Sequence, residues 1–330
     1  MRHLIDWQSL NRVIWNAAVE RALHYYENAG KWTDTARGRS IGLMFFNPSL
    51  RTRTSMELAA AQLGAYSTVL TPGQETWRFA FERGAVMDGE EAEHIREAIG
   101  VLSKYYDALG VRLFASLKSF NKDREERLIR TIASASSVPV INLESAFYHP
   151  CQALADAAVI RRQLGDPRGK KFVLAWTYHP KALPMAVPNS AVLMAARSGM
   201  HVTVVRPDEY ALDYGIMETA RSYGARVEET DNREQAFDGA DVVYAKAWSG
   251  PLVYSDPEHE PVRRESLQDW CITTEWMQKT REARFMHCLP VRRNVVVEDD
   301  VLDGPGAIHL EQAEFRLHAQ KAILEYVWGL

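Results

Sequence analysis

The sequence predicts an α/β protein built of two doubly wound parallel-sheet domains. Three observations lead there. Strand-like apolar runs alternate with amphipathic helical stretches, the pattern of parallel strands covered by helices on both faces. The alternation restarts near residue 150 of 330, in line with a prior of about 150 residues per domain. Most of the chemistry-bearing residues fall in polar segments directly after strand-like runs, where ligands bind in such folds.

The first strand is the apolar run 41–46, followed by a turn at Asn47-Pro48 and a helix from near Ser49 to Leu63. Met56, Ala59, Ala60 and Leu63 give that helix an apolar face at helical spacing, and Gly64 ends it. Strand 66–70 follows. Residues 90–105 read as a helix, 108–113 as a strand, 123–135 as a helix and 138–143 as a strand. The second half repeats the scheme with helix 151–164, strand 171–177, helix 189–197, and strands 201–206, 241–246 and 285–287. A last helix, 313–327, has no strand after it and is expected to return to the first domain. The expected domains are therefore 1–150 with 313–330, and 151–312.

Helix starts leave backbone N–H groups unpartnered and carry the positive end of the dipole. At the first of these, Ser49-Leu50-Arg51-Thr52-Arg53-Thr54 adds two arginines and three hydroxyls. That combination suits a phosphate. The remaining polar segments after strands hold Arg112, Glu144 to Gln152, 177–188, 246–250 and 287–294. His149 and Gln152 stand one helical turn apart and can face one ligand.

Composition narrows the alternatives. Apolar residues make up 46% and charged residues 25%, with a net charge of −4. No broad basic surface is available for nucleic acid or an anionic membrane. No run approaches the roughly 20 apolar residues of a membrane helix, and the first residues meet Asp6 too soon for a signal peptide. Three cysteines, Cys151, Cys271 and Cys288, with no C-x-x-C pair, fit a reducing compartment. A cytoplasmic location is expected. No metal-ligand spacing surrounds Cys288, so no metal or cofactor is expected. No G-x-G-x-x-G follows a strand, which sets aside a nucleotide-binding oxidoreductase.

Three motifs in order resemble those of the transcarbamylase family. Ser49 to Thr54 is similar to its S-x-R-T-R phosphate motif, His149-Pro150-Cys151-Gln152 to H-P-x-Q, and His287-Cys288-Leu289-Pro290 to the H-C-L-P of the ornithine branch. Within the family, Trp77, Met87-Asp88-Gly89, Trp176 to Pro180, Tyr244-Ala245-Lys246 and Leu289 to Asn294 resemble the N-acylornithine branch. Its members transfer a carbamoyl group from carbamoyl phosphate to the δ-amine of an acylated ornithine, in arginine biosynthesis. The aspartate-rich loop with which ordinary ornithine enzymes hold a free α-amine is missing, and Ala247-Trp248-Ser249-Gly250 stand in its place. A free ammonium would lack its partner there.

The resemblance implies roles for particular residues. Ser49, the Leu50 N–H, Arg51 and Thr52 clamp the phosphate, and Arg112 bridges phosphate and carbonyl oxygen. His149 donates to that oxygen, and Gln152 and the Leu289 carbonyl hold the carbamoyl nitrogen. Cys288 lies by the δ-amine without being a nucleophile. Arg316 reaches carbamoyl phosphate from the last helix. Lys246 and Arg292 receive the α-carboxylate, and Glu144 accepts from the amide or amine. Trp77 is either supplied by the neighbouring subunit of a homotrimer with shared active sites, or is plain interface or core. Ala92 stands where acetyl-users carry glutamate and succinyl-users proline. Val296 stands where acetyl-users carry lysine. Both departures favour N-succinyl-L-ornithine, whereas Asn47-Pro48 and Thr177-Tyr178 look more like the acetyl branch. The alternatives are an N-acetylornithine enzyme, an ordinary ornithine enzyme or a non-catalytic binding relative. The family also implies that the proline-rich loop 178–188 is threaded by the segment around Lys246, knotting the backbone against the usual rule.

Overall fold

The computed structural model describes residues 2–330 and divides them into two compact units. Unit 1 comprises the chain up to Ser116, Asn121–Ala155 and Phe315–Leu330; unit 2 comprises Leu117–Phe120 and Asp156–Glu314. Both are α/β with parallel sheets, as the alternation predicts.

In unit 1 the strands are β1 (Ser40–Phe45), β2 (Tyr66–Leu70), β3 (Arg78–Ala80), β4 (Glu91–His94), β5 (Ala108–Arg112) and β6 (Val140–Glu144). Four of them form a parallel sheet in the order β2-β1-β5-β6. The central strands β1 and β5 are apolar and buried almost throughout because helices cover both faces. Ile95, Ile99, Ile129 and Ile132 from two helices pack on Met44, Leu109, Val111 and Val140. Helix Arg51–Gln62 buries Met56, Ala59 and Ala60 and closes at Leu63. Gly64 then takes φ +81°, a conformation that suits glycine.

Unit 2 contains β7 (Lys171–Trp176), β8 (His201–Val205), β9 (Val227–Thr230), β10 (Val242–Lys246) and β11 (Arg284–Met286), in the parallel order β11-β10-β7-β8-β9. Helix Ala186–Arg197 is buried on all sides, which is why its sequence is apolar without a polar stripe. Segment 247–250 is buried too. Trp176 Nε1 donates to the Trp248 carbonyl at 2.9 Å, and Trp248 Nε1 to the Tyr210 carbonyl at 2.9 Å. Ser249 donates from N and from Oγ to the Leu183 carbonyl, each at 2.8 Å. A Cβ on Gly250 would stand 2.0 Å from the Glu209 carbonyl oxygen, so only glycine fits.

Two helices expected from the sequence are altered. Residues 91–94 leave the expected helix 90–105 and form β4, paired with β3. Arg78 binds Glu90, and Trp77 Nε1 donates to Glu93 at 2.7 Å, contacts that outweigh local helix propensity. The expected helix 123–135 is broken: Phe120–Arg124 and Arg127–Ala135 are separate, with Glu126 between them at φ +55°. The Glu126 carboxylate is committed to a distant loop, described below. Helix Arg12–Glu27, strand β9 and several short helices had no counterpart in the sequence reading. Among the described residues no helix is long and apolar enough to cross a membrane. Nor do they contain a group of three or more His, Cys, Asp or Glu placed to hold a metal ion.

One buried base gives the fold a pH signature. His318 lies edge-on to Tyr26, with ring centroids 5.4 Å apart, and is 1% exposed. Burial first, and the Lys321 charge second, push its pKa down to about 4. The unfolded chain takes up this proton near pH 6.5, whereas the folded chain refuses it until about pH 4. The stability it contributes is complete above pH 6.5 and is lost as pH falls towards 4. Urea midpoints are therefore expected to drop from pH 7.5 to pH 5, and to drop less in His318→Phe. Equal drops in the two proteins would contradict this.

Candidate active site

In unit 1 the strand order reverses between β1 and β5. Chain leaving β1 runs to β2 on one side, while β5 lies on the other. Ligands of open α/β sheets bind at the carboxyl ends of strands where such a reversal occurs. The end of β1 leads into Ser49–Thr52, and Arg112 ends β5 with its Cα paired to Phe45. Ser49 Oγ accepts from the Thr52 N–H at 3.1 Å and so caps helix Arg51–Gln62 one residue before its formal cap, Leu50. Arg51 is half-buried, and Leu50 is 73% exposed with its side chain outward.

Behind this turn the structure brings six of the expected residues into one buried group. Arg316 is 3% exposed. Its Nη1 donates to Gln152 Oε1 at 2.7 Å and its Nη2 to Thr52 Oγ1 at 2.9 Å. One planar guanidinium thus ties the Ser49–Thr52 turn to the His149-Pro150-Cys151-Gln152 helix start. Arg112 lies over the Phe114 ring at 4.4 Å and is ion-paired with Glu144; its Nε has no protein partner. Glu144 Oε2 lies 3.5 Å from His149 Nε2. Burial, then the charges of Arg316 and Arg112, hold His149 well below its ordinary pKa. The imidazole is neutral at pH 7 and still has one N–H to donate. With two buried arginines against one carboxylate, the group suits an anion.

Trp77 and Ala92 lie together elsewhere in unit 1. Ala92 belongs to the small β3–β4 ribbon, where the register shifts between Arg78 and Phe79 and leaves it as the extra, exposed residue, and Trp77 directly precedes β3 with its Nε1 bonded to Glu93. Trp77 is 57% exposed.

Unit 2 repeats the reversal between β7 and β10, and Lys246, the last residue of β10, pairs with Trp176 there. Lys246 is 8% exposed, and its Nζ donates to the Ala247 carbonyl at 2.9 Å. Arg292 Nε donates to His179 Nε2 at 3.1 Å. Burial is the main cause holding His179 below its ordinary pKa, so its Nε2 is available as an acceptor. Cys288 and Leu289 follow β11. The Leu289 N–H donates to His287 Nδ1 at 2.9 Å, the Leu289 φ is +57° and the Leu289–Pro290 peptide is cis. Val296 is buried in the unit 2 core.

Residues 2–162 match the family model "Aspartate/ornithine carbamoyltransferase, carbamoyl-P binding domain", and residues 185–327 match the companion "Asp/Orn binding domain". The chain belongs to the aspartate/ornithine carbamoyltransferase family. This carbamoyltransferase is 42% identical over 337 residues to the N-acetylornithine carbamoyltransferase of Xanthomonas campestris pv. campestris, covering 100% of the chain and 98% of the relative. It is 33% identical over 309 residues to the N-succinylornithine carbamoyltransferase of Bacteroides thetaiotaomicron, covering 94% and 93%. Among solved structures it is similar to a glutamate-to-alanine mutant of N-acetyl-L-ornithine transcarbamylase complexed with carbamyl phosphate and N-succinyl-L-norvaline. That similarity has a TM-score of 0.95 and 42% identity, covering 99% of this chain and 100% of that one.

The carbamoyltransferase also holds its candidate residues through side chains that the sequence reading passed over. In unit 2 the His287 N–H donates to Gln312 Oε1 at 2.9 Å, and Gln312 Nε2 donates to Asp156 Oδ1 at 2.7 Å, fixing the start of the His287 to Pro290 segment. In unit 1 Asn142 and Glu126 hold the loop before His149. Polar residues inside apolar runs, such as Asn142 within 140–143, were the available signal.

Proposed function

We propose that this carbamoyltransferase carbamoylates the δ-amine of an Nα-acylated L-ornithine, preferring N-succinyl- to N-acetyl-L-ornithine, and releases N-acyl-L-citrulline and phosphate. The observation that carries the acylated substrate is segment 247–250. It is buried, pinned by its backbone and by Trp248 and Ser249, and has no carboxylate. A free α-ammonium would meet no partner there, whereas an amide needs none of that charge.

Ser49, the Leu50 N–H, Arg51 and Thr52 hold the phosphate at the positive end of their helix. Gln152 Oε1 accepts from the carbamoyl NH₂ while its other lone pair keeps Arg316. The neutral amine attacks the carbonyl carbon, and the developing oxyanion is met by Arg112 and the His149 N–H. Phosphate then leaves into its clamp. Lys246 and Arg292 pair with the α-carboxylate, Glu144 accepts from the amide or amine, the Leu289 carbonyl accepts from the carbamoyl NH₂, and Cys288 lies by the δ-amine. No nucleophile on the protein is required.

Succinyl preference rests on Ala92 and Val296. Alanine at position 92 leaves room for a second carboxylate and does not repel it, and the apolar Val296 is core. The complex of a glutamate-to-alanine relative with N-succinyl-L-norvaline supports the same reading. Because Trp77 directly precedes β3 and bonds Glu93, the neighbour of Ala92 on β4, a ribbon that serves a neighbouring subunit's site carries both. We infer a homotrimer with shared sites, for which light scattering is expected to give three times 37.4 kDa. Steady-state rates with N-succinyl-, N-acetyl- and free ornithine test the substrate. The expected order of kcat/KM is succinyl, then acetyl, then free ornithine with no measurable turnover. Activity confined to the acetyl compound would overturn the succinyl preference.

A further inference from the structure

We infer that Glu126 is a positioning residue of the carbamoyl site, acting through the loop that delivers Glu144 and His149. The inference rests on the carbamoyl-transfer reading above and adds to it a residue outside every motif. Glu126 is 2% exposed and separates two helices at φ +55°. That conformation is unfavourable for a glutamate. A buried carboxylate in such a position must gain something in return, and here it gains a converging set of donors. The Phe147 N–H at 2.8 Å, the Tyr148 N–H at 3.0 Å and the Ser145 hydroxyl all donate to Glu126 Oε1.

These donors make up most of the loop between β6 and the helix that starts at Pro150. The Ser145 hydroxyl also accepts from Asn142 Nδ2 at 2.7 Å, and Asn142 Oδ1 accepts the Glu144 N–H at 3.0 Å. The Ser145 N–H closes the turn on the Tyr148 carbonyl at 3.0 Å. Glu144, at one end of the loop, has φ +154°, and His149 at the other end is 2% exposed. Their side chains meet at 3.5 Å. Such a pair keeps its geometry only if the four residues between its members are over-determined, and Glu126 accepts three of the bonds that do so. Burial pushes the Glu126 pKa up to about 7, the cost of placing a carboxyl group there. A polar group so placed is not explained by packing alone.

The Glu126 carboxylate bonds Ser145, Phe147 and Tyr148, whereas the turn Ser49–Thr52 is tied to the helix start at Gln152 through Arg316, which gives the donor two grips. Inorganic phosphate calls on the turn and the arginines, whereas carbamoyl phosphate needs His149 and Gln152 in addition. Calorimetry on the full-length protein with each ligand therefore reads the positioning directly. In Glu126→Ala the Kd for inorganic phosphate is expected to stay unchanged. The Kd for carbamoyl phosphate is expected to rise, and kcat to fall, by about tenfold to a hundredfold, as displaced reacting groups produce. Glu126→Gln keeps a carbonyl oxygen for the two backbone N–H groups and is expected to fall in between. Ser145→Ala, which removes one donor, carries the same test if Glu126→Ala does not fold. A purely structural role would lower the active fraction and leave the ratio of the two Kd values as in the parent, and that result would overturn the inference. If the parent protein fails to bind carbamoyl phosphate at all, the donor reading itself falls and this inference with it.

Discussion

Replacing Arg316 with alanine is expected to lower kcat/KM for carbamoyl phosphate by about two to three orders of magnitude, the usual cost of losing one preorganised charged donor. The guanidinium is buried and spends both Nη atoms on Gln152 and Thr52. Its removal leaves a buried amide oxygen and a hydroxyl without that donor, and takes a positive charge from the phosphate side. Arg316→Lys keeps the charge but cannot span the two acceptors with one planar fork. It is expected to recover only part of the loss. A second readout is independent of magnitude. The Arg316 charge is one of the causes holding His149 neutral. Without it His149 gains a proton at higher pH, so the acid limb of the kcat profile is expected to move upward in Arg316→Ala. Near-normal turnover with an unmoved acid limb would contradict the assignment.

The second large effect is expected from Ala92→Glu. Position 92 is the extra residue of the β3–β4 bulge and is exposed, so the substitution disturbs no core. A glutamate there would set a carboxylate against the distal carboxylate of an N-succinyl substrate. At 4 Å the repulsion is about 1 kcal/mol in water and about 4 kcal/mol at a partly shielded site. The kcat/KM for N-succinyl-L-ornithine is therefore expected to fall by about fivefold to about a thousandfold, while that for N-acetyl-L-ornithine changes little. The fall should shrink as salt is added. A ratio of the two substrates unmoved by the substitution would remove Ala92 from acyl selection.

What the sequence revealed and what it hid follow one physical division. The motif residues were legible because each is a dense polar cluster directly after an apolar strand. Chain reversal at such points is a property of the fold class, and both reversals fall where Arg112 and Lys246 stand. Arg316 was visible only through the family pattern, since nothing in the helix 309–328 distinguishes it until the structure sets it against Thr52. The supporting residues were illegible for a different reason. Glu126 and Gln312 accept from backbone N–H groups far along the chain, and Asn142 Nδ2 donates to the distant Ile5 carbonyl; such contacts have no spacing to read. The same holds for local errors. Residues 91–94 look helical until Arg78 binds Glu90 and Trp77 binds Glu93. The break at Glu126 appears only when its carboxylate finds Ser145, Phe147 and Tyr148.

The measurement closest to the centre of the account is a ¹³C NMR time course with carbamoyl phosphate labelled at the carbonyl carbon, in the presence of N-succinyl-, N-acetyl- or free ornithine. The label is expected to pass to a ureido carbon with the acylated acceptors, one phosphate released for each, and not to do so with free ornithine. Label passing to free ornithine as readily as to the acylated compounds, or to none of the three, would contradict it.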